Sequence, residues 1–288
     1  MEIFEKAYAK LNLSLDVVAK MSDGYHDLKM VFQTIDLADD VTVRIVEKPG
    51  VKLKTNIKHI PCDDSNIAVK AAHAFFKESG ITDRGAEIDL LKRTPVCAGM
   101  GGGSADGAAV LRGLNRLFDN PLSTDQLLKI GRELGSDVPF CIVGGTVLGC
   151  GRGDVMTDLT PLGDCTIVVC KPSFSVSTPA LFKRIDCRKI KYRPDTDGII
   201  KALDNTDLIG VARRMYNVFE DVLPYGGDKI CEIKNTFYDF GAVGSAMTGT
   251  GSAVFAIFDD ENSAKAAFDH LSKTYSECFI TRPVGKLI

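Results

Sequence analysis

Between Leu11 and Val17 the apolar residues take every second position, Leu11, Leu13, Leu15 and Val17, with Asn12, Ser14 and Asp16 between them. Such alternation marks a strand with one buried face, and it puts Lys10 and Asn12 together on the polar face. Asp23-Gly24 is a turn signal, so Tyr25 and His26 follow a loop tip. Val41, Val43 and Ile45 predict a second strand. Ala86, Ile88 and Leu90, alternating with Glu87 and Asp89, predict a third that ends at Pro95. Helical spacing appears after Ser65-Asn66 at Ile67, Ala71, Ala74 and Phe75, and again at Ala108, Leu111, Leu114 and Phe118. A further helix starts near Thr124-Asp125 and stops before Gly135, while Val138 to Cys150 reads as a strand rich in small residues.

The glycine-rich run from Gly149 to Gly163 is the natural domain boundary, dividing the chain into 1–157 and 158–288. Beyond it the pattern gives a strand at Thr166 to Cys170 and a helix with Leu208, Val211, Met215, Val218 and Val222 as its apolar stripe. Two strands then flank Thr248 to Ser252, the second being Ala253 to Phe258. A helix from Glu261 to Lys273 and a strand near Cys278 to Thr281 complete a β-α-β-β-α-β order, the split pattern of ferredoxin-like domains.

Composition narrows the classes. At about 150 residues per domain, 288 residues suggest two domains. With 45% hydrophobic and 25% charged residues the chain is an ordinary globular one, neither disordered nor a disulfide scaffold. Lys and Arg number 35 against 38 Asp and Glu, a net charge of −3, so no broad basic surface for nucleic acid or an anionic membrane is expected. An anionic ligand must be held by a local site. The nine cysteines include no C-x-x-C pair, which argues for buried unpaired thiols in a reducing cytoplasm. No apolar leader opens the sequence, and its longest uncharged stretch, Val138 to Gly151, is too short to span a bilayer.

The candidate chemistry begins at Gly99-Met100-Gly101-Gly102-Gly103-Ser104, between a strand and a helix, where backbone N–H groups can converge on an anion. No Gly-Lys-Ser/Thr closes the run, and Ser104 stands where a dinucleotide fingerprint needs its third glycine, so both common glycine-loop classes fail. A tight packing turn is the plain alternative, although three consecutive glycines carry an entropic cost that packing seldom requires. Asp106, in the first turn of the next helix, is either a dipole-complementing carboxylate or a neighbour of metal-bound phosphate. Taken singly, Asp137 could be a turn residue, Lys10 a solvated lysine, His26 a loop histidine and Asn66 a helix cap.

Together they resemble the GHMP kinases. The loop Pro95-Val96-Cys97-Ala98-Gly99-Met100-Gly101-Gly102-Gly103-Ser104-Ala105 is similar to that family's Pro-x-x-x-Gly-x-Gly-x-Ser ATP motif. Ala9-Lys10-Leu11-Asn12-Leu13 followed by Asp23-Gly24-Tyr25-His26, then Leu134-Gly-Ser-Asp-Val-Pro139 and Thr248-Gly-Thr-Gly251, resemble the branch whose acceptor is a cytidylyl-linked alcohol of non-mevalonate isoprenoid synthesis. The resemblance implies an α+β, two-domain GHMP kinase fold, with an N-terminal ATP-binding domain like a ribosomal-protein fold and a ferredoxin-like C-terminal domain. It implies ATP as phosphoryl donor with Mg²⁺, a small cytidylyl acceptor, and a cytoplasmic monomer or homodimer. Lys10 and Asp137 would be the catalytic pair, and the loop from Pro95 to Ala105 would hold the phosphates. Asn66 would reach the adenine, with Lys92 alongside. Cytosine would lie between Tyr25 and Phe182, with His26 on the base edge and Asn12 on the acceptor. Tyr8, Met21, Ala105 and Gly107 depart from the family pattern, and Ala105 removes a hydroxyl that would meet phosphate or metal. The alternatives are another kinase of the family, acting on mevalonate, homoserine or a sugar, and a non-catalytic binding module.

Overall fold

The protein is described by a computed structural model covering residues 1–188, 190 and 192–288. The chain runs β1 (Glu2–Lys20), β2 (His26–Val46), β3 (Gly50–Thr55), α1 (Ile67–Ser79), β4 (Gly85–Leu91), α2 (Gly102–Leu117), α3 (Thr124–Leu134), α4 (Val138–Val143), β5 (Thr146–Gly151) and β6 (Val155–Asp158). It continues through β7 (Thr166–Lys171), α5 (Thr178–Asp186), α6 (Thr196–Asp204), α7 (Leu208–Ala212), β8 (Tyr216–Asn217), α8 (Gly227–Asp239), β9 (Gly244–Met247), β10 (Val254–Phe258), α9 (Glu261–Leu271), β11 (Glu277–Thr281) and β12 (Pro283–Val284).

Among the described residues these strands form two sheets. The larger follows the order β3-β4-β2-β1-β8, with β5 and β12 also on β2 and β6 on β5. The smaller has the order β11-β7-β10-β9 with every neighbour antiparallel. With α8 and α9 as its crossovers, the smaller sheet is the ferredoxin-like domain that the strand pattern anticipates. The fold is therefore the α+β two-domain one expected. The later half of the chain also returns two strands to the first sheet: β8 lies parallel to β1, and β12 antiparallel to β2.

The alternation in β1 is real, but its polar face is not solvated. Ala9, Leu11 and Leu13 belong to the apolar cluster that joins the two sheets, with Ile167, Val169, Phe255 and Ile257 of the second. Each such fully buried leucine contributes about 1.5–3 kcal/mol over exposure. The intervening Lys10, Asn12 and Ser14 are buried as well, because the loop from Thr248 to Gly251 and the cleft walls cover them. A buried polar strand face must find partners within the protein, which makes it a place to look for a site.

Two elements differ from expectation. Val138 to Cys150 begins as the helix α4, with Pro139 in its first turn, and becomes the strand β5 only after Gly144 (φ 66°) and Gly145 (φ 88°). A short apolar run is ambiguous by periodicity alone, and proline in a first turn favours the helix. The stripe Leu208 to Val222 is not one helix but α7, the two-residue β8 and a 3₁₀ turn at Val218–Val222. Asn217 breaks it: its buried amide donates to Met247 O and Gly249 O, both at 2.8 Å, while its Oδ1 accepts from Phe219 N at 3.0 Å.

Gly107, a departure from the family pattern, has a packing reason. A Cβ there would stand 2.7 Å from Ile67 Cγ2, so glycine lets α2 close on α1. The nine cysteines are unpaired, but only Cys141, Cys165, Cys170 and Cys278 are buried; Cys62, Cys97, Cys187 and Cys231 are exposed. Among the described residues no helix is long and apolar enough to cross a membrane.

Candidate active site

Lys10 projects from β1 into a cleft of about 410 Å³ whose walls include Asn12, Gly99, Gly101, Ser104, Asp137 and Gly249. Its ammonium donates to Asn12 Oδ1 at 2.7 Å and lies 3.5 Å from Asp137 Oδ2. Asp137 precedes α4 at the N-cap position, yet its carboxylate makes no capping hydrogen bond. A carboxylate not spent on its own helix, with 31% of its side chain open to solvent beside a lysine at 4%, can accept a proton from a ligand. Asn12 also accepts from Gly249 N at 3.0 Å, and its own N–H donates to Thr248 Oγ1 at 3.1 Å. Asn12 thus positions Lys10 and ties β1 to the loop after β9.

The glycine loop sits between these two supports. Lys10 N donates to Met100 O at 3.0 Å, Ala253 N to Ala98 O at 3.2 Å, and Thr248 Oγ1 to Gly99 O at 3.3 Å. Gly99 (φ 75°) and Gly101 (φ 68°) adopt left-handed backbone that disfavours any side chain. A Cβ on Gly101 would lie 3.1 Å from Lys10 Cγ, inside the Lys10 cleft. Gly101 is also the N-cap of α2, so the first amides of that helix, at Gly102, Gly103 and Ser104, open towards the loop.

Pro95, Val96, Cys97, Ala98, Gly99, Met100, Gly101, Gly102, Gly103 and Ser104 line a second cleft of about 360 Å³, together with Ile60, Asn66, Lys92 and Asp106. Ala105 is buried beneath it. Asn66 caps α1, its Oδ1 accepting from Ala68 N at 2.9 Å and its Nδ2 donating to Pro61 O at 2.7 Å. Lys92 is not a loose cation: its ammonium is held by Asp39 and, at 2.7 Å, by Asp106. Burial alone would lower the Lys92 pKa, but those two carboxylates outweigh it and raise it above the ordinary value. Asp106 lies past the first turn of α2, which contains no acidic residue, so the expected dipole role does not apply. Burial pushes its carboxyl up to about 7 despite Lys92, and its Oδ1 has no hydrogen-bond partner in the protein.

The far end of the site is aromatic. A cleft of about 500 Å³ is lined by Tyr25, His26, Phe182, Lys20 and Asp186. The ring stacked on Phe182 is that of His26, at 4.6 Å between centroids. His26 Nε2 lies 2.7 Å from Asp186 Oδ1, and Lys20 donates to the same carboxylate at 2.5 Å. Lys20 and then His26 hold the Asp186 carboxyl below its usual range. Tyr25 is exposed and carries the guanidinium of Arg152 on its face, 3.6 Å from the ring centroid.

Sequence reading left several of these positions out. Asp39, Asn217 and Arg152 carry no motif of their own, and the loop Thr248 to Gly251 figures there only as a motif, without a role. The sequence carries no signal for Asn217, which falls off the apolar stripe.

Comparison with known proteins identifies the family. The GHMP kinases N terminal domain matches residues 66–145 and the GHMP kinases C terminal domain residues 199–277. The fold and the glycine-loop cleft thus define a kinase of the GHMP class, for which ATP is the phosphoryl donor. A 4-diphosphocytidyl-2-C-methyl-D-erythritol kinase of Clostridium kluyveri is 43% identical over 279 residues, covering 97% of this chain and 99% of that protein. Its namesake in Clostridium acetobutylicum is 42% identical over 280 residues, again 97% and 99% of the two chains. The chain belongs to this 4-diphosphocytidyl-2-C-methyl-D-erythritol kinase family. A solved 4-(cytidine 5'-diphospho)-2C-methyl-D-erythritol kinase superposes with a TM-score of 0.83 at 28% identity, over 98% of this chain and 100% of the other. A homoserine kinase of Cytophaga hutchinsonii, at 19% identity and a TM-score of 0.75 over 99% and 95% of the chains, shares the fold.

Proposed function

We infer that the chain transfers the γ-phosphoryl group of ATP to the 2-hydroxyl of 4-diphosphocytidyl-2-C-methyl-D-erythritol, in isoprenoid biosynthesis. The observation that carries this is the placement of Lys10 Nζ 3.5 Å from Asp137 Oδ2 in a cleft bordered by the glycine loop on one side and running to the Tyr25–His26–Phe182 end on the other. A small acceptor such as homoserine has no base for that aromatic end.

Asp137 takes the proton of the acceptor hydroxyl as its oxygen attacks the γ-phosphorus, and the bond from that phosphorus to the β-phosphate bridge breaks to release ADP. No covalent enzyme intermediate is needed. Lys10, held by Asn12, positions the hydroxyl and offsets charge developing on the transferred group. The loop from Pro95 to Ser104, with the first amides of α2, holds the phosphates through backbone donors. With Nε2 taken by Asp186, His26 meets the base through Nδ1 or its backbone. Mg²⁺ would travel with the ATP phosphates: among the described residues no group of three or more His, Cys, Asp or Glu could cage a metal. The Asp106 Oδ1 that lacks a partner, and the Ser104 hydroxyl in the same cleft, fit a phosphate-bound divalent ion, which neutralises phosphate charge when present.

Asp137→Asn is expected to bind ATP as the wild type does and to lose transfer by roughly 10²–10⁴-fold in a single-turnover quench. Full turnover by that variant would remove Asp137 as the base.

A further inference from the structure

The reaction cleft and the aromatic cleft share five lining residues, Leu28, Ser136, Arg152, Thr178 and Phe182. Only one of the five carries charge. Lys10 lines the reaction cleft alone, and Lys20 and Lys183 line the aromatic cleft alone, so Arg152 is the cation at the junction. Taking the acceptor of the proposed function as given, its base occupies the aromatic end and its reacting hydroxyl lies at Lys10 and Asp137. What must cross the junction is the ribose and the diphosphate. We propose that Arg152 binds the diphosphate of the acceptor and thereby selects a nucleoside diphosphate derivative over a bare nucleoside or an uncharged alcohol.

The local structure prepares the guanidinium for this. Arg152 stands in the β5–β6 turn between Gly151 (φ 65°) and Gly153 (φ 96°), with Gly153 N donating to Cys150 O at 3.0 Å. The turn throws the side chain across to the β1–β2 tip. There one terminal nitrogen donates to Asp23 Oδ2 at 2.5 Å, and the planar group lies on the Tyr25 ring. Asp23 is itself held by accepting from Tyr25 N at 3.0 Å. Stacking and one ion pair set the plane of the guanidinium but engage few of its five N–H donors, and the remaining edge suits phosphate oxygens. Asp23 offsets part of the charge, so directed N–H donation carries the recognition more than bare attraction does.

A purely structural Arg152, acting as a prop for Tyr25, would affect every ligand with a cytosine alike. Calorimetric titration of the full chain with cytidine and with cytidine 5'-diphosphate separates the two roles. Wild type is expected to bind the diphosphate more tightly than cytidine. Arg152→Ala should lose roughly 10- to 100-fold for the diphosphate, with cytidine affinity unchanged, and Arg152→Lys should recover part of the loss. In turnover the KM for the acceptor should rise by a similar factor while the KM for ATP stays constant. Equal losses for cytidine and its diphosphate, or no loss for either, would overturn the proposal while turnover of the acceptor by wild type leaves the proposed function standing. A wild type that neither prefers the diphosphate nor phosphorylates the acceptor would overturn both.

Discussion

Lys92 holds two carboxylates, and the buried trio it forms with Asp39 and Asp106 has a consequence for pH. Asp39 accepts from Arg93 N at 2.6 Å and Thr94 N at 2.7 Å as well as from Lys92, so it anchors the chain entering the glycine loop. Asp106 holds its proton up to about 7 in the folded chain, chiefly through burial, against about 3.9 when unfolded. A carboxyl with a raised folded pKa favours the native state most at low pH, and that advantage fades as pH rises from about 4 towards 7. Urea unfolding across this window should therefore show wild type losing stability with rising pH relative to Asp106→Asn, and the difference levelling off above it. A constant difference would exclude Asp106 as the titrating group. Lys10 and Asp137 are legible in the sequence because each lies in a short motif. Asp39 is not, since its partners Lys92, Arg93 and Thr94 lie 53 or more residues away and no periodicity connects them to it.

Among the elements, the glycine loop depends on the loop between β9 and β10 as much as on its own sequence. A Cβ on Gly99 would stand 2.1 Å from Thr248 O, a backbone atom with little freedom to move, whereas one on Gly24 (φ 86°) would meet nothing within 4 Å. Both alanine variants carry the strain of left-handed backbone, of order 1 kcal/mol, but only Gly99→Ala also forces the two loops apart. Thermal unfolding and the KM for ATP should both respond more strongly to Gly99→Ala than to Gly24→Ala; equal responses would show that the contact between the loops is unimportant. Strands β1, β2, β4, β7, β10 and β11 and helices α1, α2, α3 and α9 are legible because one apolar face repeats for several turns or residues. The stretches at 138–150 and 208–222 are not, because single residues decide them. Pro139 turns an apolar run into a helix, and Asn217, pinned by three hydrogen bonds, converts a helical stripe into strand and turn.

On the scale of the whole molecule, a net charge of −3 sits with two polyanionic substrates because the cations are placed rather than spread. Backbone amides of the loop and of α2 line the cleft proposed for the nucleotide, Lys10 lies 3.5 Å from Asp137, and Arg152 lies where the second substrate would cross between clefts. The two-domain division follows from length and pattern, but the return of β8 and β12 to the first sheet does not, since strands of two residues carry no periodic signal. The return of β8 links β1, with Lys10 and Asn12, to Asn217 and hence to the loop that packs on the glycine loop. The most direct measurement is ADP release from ATP by the purified chain, with 4-diphosphocytidyl-2-C-methyl-D-erythritol, mevalonate and homoserine offered separately. Release driven by the cytidylyl acceptor alone is the predicted result; release driven by mevalonate or homoserine, with none from the cytidylyl acceptor, would contradict it.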